Sequence, residues 1–522
     1  MKNIFIIISL SLLSAQMPFD CLFNKTLSLN RSSLSSNAII DIRHGLENEL
    51  YIGTSDSLGY ADITDPLSPI FSMVSDSLLP DGGIPALKTY ELDDGNIMIV
   101  LSGATSSYIE SEGCVSSGTG ISWSIDSGAS WRHMPQSIAP PDSPTYLIED
   151  WGDTTFEYLA VTTPVYNVSY DLDVQDSYIY STSWAGGLRR FNYTIDNPEW
   201  EVIPLPMDNQ DSLFCNNIDL SSYLLNPVDY DNQKAFSIYV ESDTILWVGS
   251  AGGINKGVLQ EDGCINWKNY NTDDGLGGFW VIGIIPQQYD SFTRTWLISW
   301  DSVPPSGHKL TYTDDGGETW EVVTQFENLD IVVYNLSFSN KNIIASTDRG
   351  LYKSDFDDGK FWISLPVTED INGERILTNN FYTAISISEG EIDTFLVGTE
   401  DGLSIISTAG EILDNIRNWE SPKSFSAYPN PFFINEYNQV GNDKYVRLIY
   451  SNPNQFSGEI DIFDFAMDHV IHLNNFKPIT IDENEIVWNG RNESGDKVAN
   501  GAYFCRLSLN GKYYWTKLAV IN

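Results

Sequence analysis

The stretch Leu246-Trp247-Val248-Gly249, followed after three intervening residues by Gly253-Ile254, sets the pattern that decides the fold. A short apolar run of this kind is typical of a strand that is buried on both faces. The small residue at its end permits a close approach of another backbone, and the later glycine turns the chain. The stretch therefore predicts the two inner strands of a β-hairpin.

The same phrase recurs between about residues 40 and 420. Clear copies begin at Leu50, Tyr178, Leu246, Ile343 and Phe395, and looser copies lie at 97–103 and 296–299. The small residues that anchor the copies are at positions 53, 103, 183, 249, 299, 346 and 398. Four strands with their turns need about 40–50 residues, which is the period of one propeller blade.

This spacing predicts an all-β fold in which residues 38–420 form a seven-bladed β-propeller. Surface insertions are expected near 104–118 and 135–175, where the anchors lie furthest apart. A tandem of β-sandwiches is the competing architecture, because it also repeats short strands at even spacing. A helical solenoid would need a 3.6-residue apolar period, which the chain lacks.

Two segments share a polar turn pattern with identical offsets, and a third copy is degraded. They read Ser124-x-Asp126-x-Gly128-x-Ser130-Trp131, Thr313-x-Asp315-x-Gly317-x-Thr319-Trp320 and Asp355-x-Asp357-x-Gly359-x-x-Trp362. The hydroxyl and carboxylate groups can accept turn N–H groups, the glycine can adopt positive φ, and the Trp can wedge into a blade. The pattern resembles the Asp-box, or BNR repeat, of sialidases, sortilin-type receptors and plant-cell-wall glycosidases. That resemblance implies a propeller in which the box is a structural hairpin away from the ligand.

Residues 428–522, after a linker at 421–427, predict a small antiparallel sandwich with a Trp in its core. Its marker phrases are Tyr428-Pro429-Asn430-Pro431-Phe432, Trp488-Asn489-Gly490 and Gly501-Ala502-Tyr503-Phe504. Together they resemble the FlgD-like immunoglobulin fold of C-terminal sorting domains in bacterial type IX secretion. Met467 departs from that family, which often has Gly there. The resemblance implies export across the outer membrane by the type IX machinery; a plain sandwich without a sorting role is the alternative.

The N-terminal residues are typical of a secretory signal peptide over 1–16. Lys2 precedes an apolar stretch over 4–13, and Ser14-Ala15-Gln16 supplies a small-residue cleavage zone. The stretch is too short to span a bilayer, and no later segment is long and apolar enough for a transmembrane helix. We therefore expect a protein that is secreted or attached to the outer cell surface.

The charge balance excludes nucleic acid as a partner, because 71 Asp and Glu against 28 Lys and Arg give a formal charge of −43. Structural calcium is left open by so many carboxylates, although no loop has EF-hand spacing. No other cofactor is predicted. The five cysteines lie far apart without a CxxC pair, so they predict no metal site, and the sequence leaves any disulfide pairing open.

No catalytic residue is predicted. The arginine-bearing Phe/Tyr-Arg-Ile-Pro phrase of sialidases is absent, and the Asp pairs at 93–94, 273–274 and 357–358 each precede Gly, as turn residues do. Trp184, Trp280 and Trp300 are candidates for stacking on a sugar or peptide from loops. The preferred function is non-catalytic binding of an extracellular polysaccharide or protein.

Two other functions are left open by the sequence. One is an extracellular glycoside hydrolase of the Asp-box type, and the other is a structural part of an envelope complex. Two carboxylates about 5–10 Å apart in the central funnel would favour the hydrolase.

Overall fold

A computed structural model describes residues 33–109, 113–215, 223–300, 308–365, 376, 378–388, 390, 392–416, 425–434, 444–451, 458–478, 483–509 and 511–522. The predicted signal peptide and most of the predicted linker lie outside these residues. Among the described residues, no helix combines the length and the apolar character that a membrane crossing requires.

Seven antiparallel sheets follow one another along residues 39–416, each with four strands in sequence order. Sheet 1 contains β1 (Ile39–His44), β2 (Glu49–Thr54), β3 (Leu58–Asp62) and β4 (Ile70–Met73); sheet 2 contains β5 (Leu87–Glu91), β6 (Ile97–Ile109), β7 (Gly113–Ser124) and β8 (Arg132–Met134). An inserted sheet contains β9 (Tyr146–Trp151), β10 (Thr154–Leu159) and β16 (Leu224–Leu225). Sheet 3 contains β11 (Asp171–Gln175), β12 (Tyr178–Ser183), β13 (Gly187–Asn192) and β14 (Glu201–Ile203).

The remaining four sheets of this region repeat the arrangement. Sheet 4 contains β17 (Ala235–Val240), β18 (Ile245–Ser250), β19 (Gly253–Leu259) and β20 (Ile265–Tyr270), with β15 (Ser212–Leu213) added at its outer edge. Sheet 5 contains β21 (Trp280–Gln288), β22 (Thr293–Trp300), β23 (His308–Thr313) and β24 (Glu321–Val323). Sheet 6 contains β25 (Val333–Phe338), β26 (Asn342–Thr347), β27 (Gly350–Asp355) and β28 (Ile363–Leu365), and sheet 7 contains β29 (Phe381–Ser388), β30 (Thr394–Thr399), β31 (Gly402–Ser407) and β32 (Ile412–Ile416). A four-residue helix, α1 (Gln325–Asn328), follows β24.

The seven sheets form a closed ring. The first strand of each sheet contacts the first strand of the next, in the order β1, β5, β11, β17, β21, β25, β29, and β29 contacts β1. Sheet 7 meets sheet 1 through an apolar core that includes Ile39, Leu50 and Leu396, and through a backbone hydrogen bond from Gly402 to Asn37 (2.7 Å). The predicted β-propeller is therefore confirmed, and the seven first strands surround a central channel.

The second strand of a sheet is the apolar run that the sequence repeats. In β2, β12, β18, β26 and β30, the last five of six residues are buried, as a strand packed on both faces requires. Neighbouring sheets cover the two faces of each such strand, which explains why the runs do not alternate between apolar and polar residues.

Neighbouring sheets are also joined by polar side chains that donate to a backbone carbonyl. In one set of these bonds, the carbonyl lies in the turn between the third and fourth strands of the following sheet. The pairs are Tyr51 Oη with Ser127 (3.1 Å), Arg132 Nη1 with Tyr193 (3.4 Å), Arg190 Nη2 with Gly263 (3.1 Å), Lys256 Nζ with Gly316 (2.7 Å), Arg294 Nη1 with Asp358 (3.4 Å) and Lys353 Nζ with Thr408 (2.7 Å). A turn carbonyl loses its water when two blades pack together, and it then needs another hydrogen-bond donor. Because these side chains supply that donor, they stabilise the packing of one sheet on the next.

Two features stand outside the four-stranded repeat. The strands β6 and β7 extend over residues 104–109 and 113–118 beyond their neighbours in sheet 2, and the inserted sheet includes 146–159. A disulfide joins Cys215 to Cys264, Cys114 is also disulfide-bonded, and Cys505 is a buried free thiol.

Residues 426–521 form two facing sheets around one core. The first has the order β33 (Ser426–Tyr428), β35 (Val446–Ser451), β39 (Glu483–Trp488), β38 (Lys477–Pro478). The second, called the C-terminal sheet below, has the order β34 (Phe432–Phe433), β41 (Lys512–Ile521), β40 (Gly501–Leu509), β36 (Gly458–Phe463), β37 (His469–Leu473). Trp488 lies in the core between them, as the sequence predicts.

Candidate functional site: the central channel

The two complete Asp-boxes are turns between the third and fourth strands of sheets 2 and 5. Ser124 Oγ accepts from the Gly128 N–H (2.8 Å), and Asp126 Oδ1 accepts from the Ser130 N–H (2.8 Å). In the second box, Thr313 Oγ1 accepts from the Gly317 N–H and Asp315 Oδ1 accepts from the Thr319 N–H, both at 2.9 Å. Hydrogen bonds from Thr319 hold the pKa of Asp315 at about 2, and those from Ser130 lower the pKa of Asp126. The carboxylates are therefore engaged by their own turns.

The third, degraded copy has different acceptors from those predicted. Ser354 Oγ accepts from the Gly359 N–H (3.1 Å), and Asp358 Oδ2 accepts from the Phe361 N–H (2.9 Å). Asp358 thus takes the carboxylate role that the spacing assigns to Asp357, because this turn is one residue longer before its Trp362. The assignment of Asp357 is wrong.

Each box glycine abuts an aromatic ring on the second strand of the preceding sheet. A Cβ added at Gly317 would lie 3.0 Å from Trp247 Cη2, and one at Gly359 would lie 2.6 Å from Trp296 Cη2. Gly128 lies near Tyr51 in the same way, at 3.6 Å from the hydroxyl. Trp131 and Trp362 are buried and Trp320 is half-buried. These contacts favour a structural use of the boxes.

The three tryptophans proposed as ligand contacts belong to one aromatic cluster. Trp280 is paired with Trp300 across β21 and β22, and Trp184 contacts Trp280 (5.8 Å between ring centroids) and Phe236 (5.6 Å). Trp300 is 1% exposed and Trp280 is 6% exposed. The prediction that they are exposed is therefore wrong for both, because they lie in strands between blades. Trp184, in the turn between β12 and β13, keeps partial exposure beside Lys234 (Nζ 5.2 Å from the ring centroid).

Charged side chains meet inside the channel, where the first three inner strands adjoin. Arg43 binds Asp41 with both Nε (3.1 Å) and Nη2 (2.8 Å). Lys88 Nζ lies 3.4 Å from Asp171 Oδ1, and Tyr90 Oη donates to Asp173 Oδ1 (2.6 Å). These residues lie on β1, β5 and β11, so the packing of three successive sheets brings them together.

The carboxylates of β11 satisfy the free edge of the neighbouring inner strand. Asp171 Oδ2 accepts from the Ile238 N–H (3.0 Å), and Asp173 Oδ2 accepts from the Val240 N–H (2.7 Å). Inner strands of adjacent blades are not paired in a ladder, so their edge N–H groups need such acceptors. Burial raises the pKa of Asp173 and of Asp41, although Lys88 and Arg43 oppose the shift.

A cleft of about 620 Å³ opens at the ends of the inner strands, towards their last residues. Its walls are mainly apolar, and the charged or polar residues among them are Arg43, His44, Thr89, Asn335, Ser337, Ser386 and Ser388. The apolar lining comes from Ile42, Ile285, Pro286, Leu336, Phe338, Ala384, Ile385 and Ile387. These residues carry no signal in the sequence, because each lies in an ordinary strand and no motif marks their convergence.

The site carries no arrangement for metal chemistry within the described ranges, since no three His, Cys, Asp or Glu side chains are grouped closely enough to hold an ion.

No protein-family model matches the chain, and no curated protein matches it. Solved structures similar to it include PorZ, a surface component of the type IX secretion system of Porphyromonas gingivalis (12% identity, 94% of this chain, 66% of that chain, TM-score 0.41). Others are the extracellular domain of the hybrid two-component system BT3049 of B. thetaiotaomicron (13%, 95% and 58%, 0.41) and YCF48 bound to the D1 peptide (11%, 78% and 99%, 0.39). The chain spans less than two thirds of the length of the first two. At these identities and TM-scores, the likenesses carry no argument about what the chain binds.

Proposed function

We propose that this chain is a secreted or surface-attached, non-catalytic binding protein. In this proposal residues 1–16 are a signal peptide, 38–420 a seven-bladed propeller, 421–427 a linker, and 428–522 an immunoglobulin-like sorting domain for type IX secretion. The propeller binds an extracellular polysaccharide or protein in the apolar cleft at the mouth of its channel.

One observation carries the choice of binding over catalysis. The channel carboxylates are engaged by Arg43, Lys88, Tyr90 or backbone N–H groups, and neither Asp41 nor Asp173 lines the cleft. A concave, mainly apolar surface with polar groups set among the apolar ones is the usual character of a binding site.

A glycoside hydrolase is the second candidate, because Asp41 and Asp173 are buried carboxyls with raised pKa values, as a general acid requires. It ranks second because a catalytic acid must reach the glycosidic oxygen, whereas these groups are 8% and 6% exposed. Asp41 is held by Arg43 and the Ile42 N–H, and Asp173 by Tyr90 and the Val240 N–H of neighbouring strands.

Binding is tested with the chain from residue 17 onward, using a panel of polysaccharides and proteins from the host's culture medium. Ile387→Asn places a polar group on the cleft wall and should weaken binding at least tenfold, while Ile392→Asn, at an exposed site outside the cleft, should leave it unchanged. Reducing-end release is measured in parallel. Turnover that Asp41→Asn or Asp173→Asn abolishes would favour the hydrolase and contradict binding alone.

The sorting role is tested separately, by removing residues 428–522 in the native host. We expect the truncated protein to stay in the periplasm. Its appearance in the medium at the full-length level would leave the module as a plain sandwich.

A further inference from the structure

The outer face of the C-terminal sheet exposes aromatic rings that nothing in the fold of the module requires. Tyr513 is 63% exposed and Trp515 is 47% exposed, both on β41. Phe463 lies on the same face, with its ring centroid 5.9 Å from that of Trp515. Rings of this size are normally buried, so their exposure together marks a surface that meets a ligand.

One arginine holds these rings in place. The Arg506 guanidinium lies 5.1 Å from the centroids of Phe463 and Tyr513 and 5.8 Å from that of Trp515. Asp461 fixes Arg506 in turn, since Oδ2 accepts from Nη2 (2.7 Å). Among the described residues, the ring, cation and hydrogen-bond contacts of this face come from within 458–517, so the face is ordered before any ligand arrives.

Polar groups lie in register with the rings. His472, Asp461, Arg506 and Trp515 form one straight row across β37, β36, β40 and β41. Asp461 Oδ1 contacts His472 Nδ1 (2.9 Å) and His469 Nε2 (3.1 Å). His469 Nδ1 lies 3.5 Å from Glu493 Oε1, so His472 Nε2 is the imidazole nitrogen left to meet a ligand. The row therefore places three hydrogen-bonding side chains beside one apolar ring face.

The charge of the module complements a neutral ligand. Residues 426–522 contain eight Lys and Arg against eleven Asp and Glu, a formal charge of −3, whereas residues 1–425 carry −40. On the face itself, Arg506 and Lys517 are matched by Asp461 and Glu459. A polyanion would meet no net attraction here and would be repelled by the remainder of the chain.

We infer that this face binds a neutral, extended polysaccharide of hexopyranose units. Neighbouring strands are about 4.8 Å apart, close to the length of one pyranose unit in an extended chain, so successive sugars can meet successive strands. The apolar ring faces of the sugars would stack on Trp515, Tyr513 and Phe463, and their hydroxyls would bond to nitrogens of His472 and Arg506. Because these side chains are already ordered, little conformational entropy is lost on binding. The site is separate from the channel cleft and does not depend on the proposed function.

Affinity electrophoresis of the chain from residue 17 onward tests the inference, in native gels that contain hydroxyethyl cellulose, galactomannan or anionic alginate. We expect retardation in at least one neutral polysaccharide and none in alginate. Trp515→Ala combined with Tyr513→Ala should raise the dissociation constant at least tenfold. Tyr108→Ala is the matched control, because Tyr108 is an exposed ring (74%) on the propeller and its loss should change nothing.

Two further measurements keep the outcome clear. The melting temperature of the double variant should match that of the wild type, since both rings are at the surface, and Ile387→Asn should keep the retardation because it alters only the channel cleft. Retardation that persists in the double variant would overturn the inference. Unretarded migration in every neutral polysaccharide would also overturn it, and would assign the face to a protein if the double variant is lost from the cell surface.

Discussion

Replacing Asp173 by Ala should destabilise the propeller without touching the channel cleft. The carboxylate accepts three hydrogen bonds, from Tyr90 Oη (2.6 Å), the Val240 N–H (2.7 Å) and the Val174 N–H (2.8 Å). Each buried donor left without a partner costs about 1–3 kcal/mol, and relief of the buried charge offsets part of the sum. We therefore expect a loss of about 2–4 kcal/mol in the free energy of unfolding.

The measurement is urea unfolding followed by tryptophan fluorescence, with the loss read from the midpoint at constant slope. Asp142→Ala is the control, because Asp142 is exposed and its removal should cost less than about 0.5 kcal/mol. A loss below about 1 kcal/mol for Asp173→Ala would refute the view that this carboxylate satisfies the inner strands. Undiminished stability with abolished turnover of a glycan would instead make it a catalytic group.

Three other predictions follow from local geometry. Burial, with the nearby Glu201 charge, raises the pKa of Glu149 from 4.5 to about 7. The folded state therefore binds more protons than the unfolded state, and the stability of the protein falls as the pH rises from about 4.5 to 7. Glu149→Gln should remove this fall in melting temperature with pH, and an unchanged fall would contradict the raised pKa. Gly317→Ala, at φ +94° and against Trp247, should destabilise the protein more than Gly95→Ala, which has φ +83° and open space around it. The left-handed conformation alone costs each variant about 1–2 kcal/mol. Equal losses in thermal unfolding would show that the box does not press on the Trp247 ring. Burial raises the pKa of the Cys505 thiol to about 12, so it should react with iodoacetamide only after unfolding, and rapid labelling of the native protein would count against its burial.

The repeated apolar runs predicted the propeller because each run records a local requirement. The stretch from Leu246 to Gly249 is buried on both faces in β18, and this need is visible in four letters of sequence. The boxes at 124–131 and 313–320 are equally easy to identify from the sequence, since their hydrogen bonds join residues within a span of five. The degraded copy was misassigned because an inserted residue moved the acceptor from Asp357 to Asp358.

The channel could not be predicted in the same way. Asp41, Lys88 and Asp173 are distant in sequence and become neighbours only when the first three sheets pack against one another. Trp300 was expected to face a ligand and is buried instead. An aromatic residue at the end of an apolar run has the same sequence pattern whether it faces solvent or the next blade. The sequence gives the type of a residue but does not give its neighbours across a blade interface.

The junction of sheets 7 and 1 has a consequence for how the chain may be cut. Each of these sheets is built from one continuous segment, 39–73 or 381–416, so the circle closes without any strand being lent from one end to the other. The order of the blades around the ring therefore does not depend on which blade the chain begins with. A circular permutant that joins residues 38 and 417 by a flexible linker, and opens instead between sheets 2 and 3, should keep the same blades, whereas a propeller locked by a shared sheet would lose its clasp.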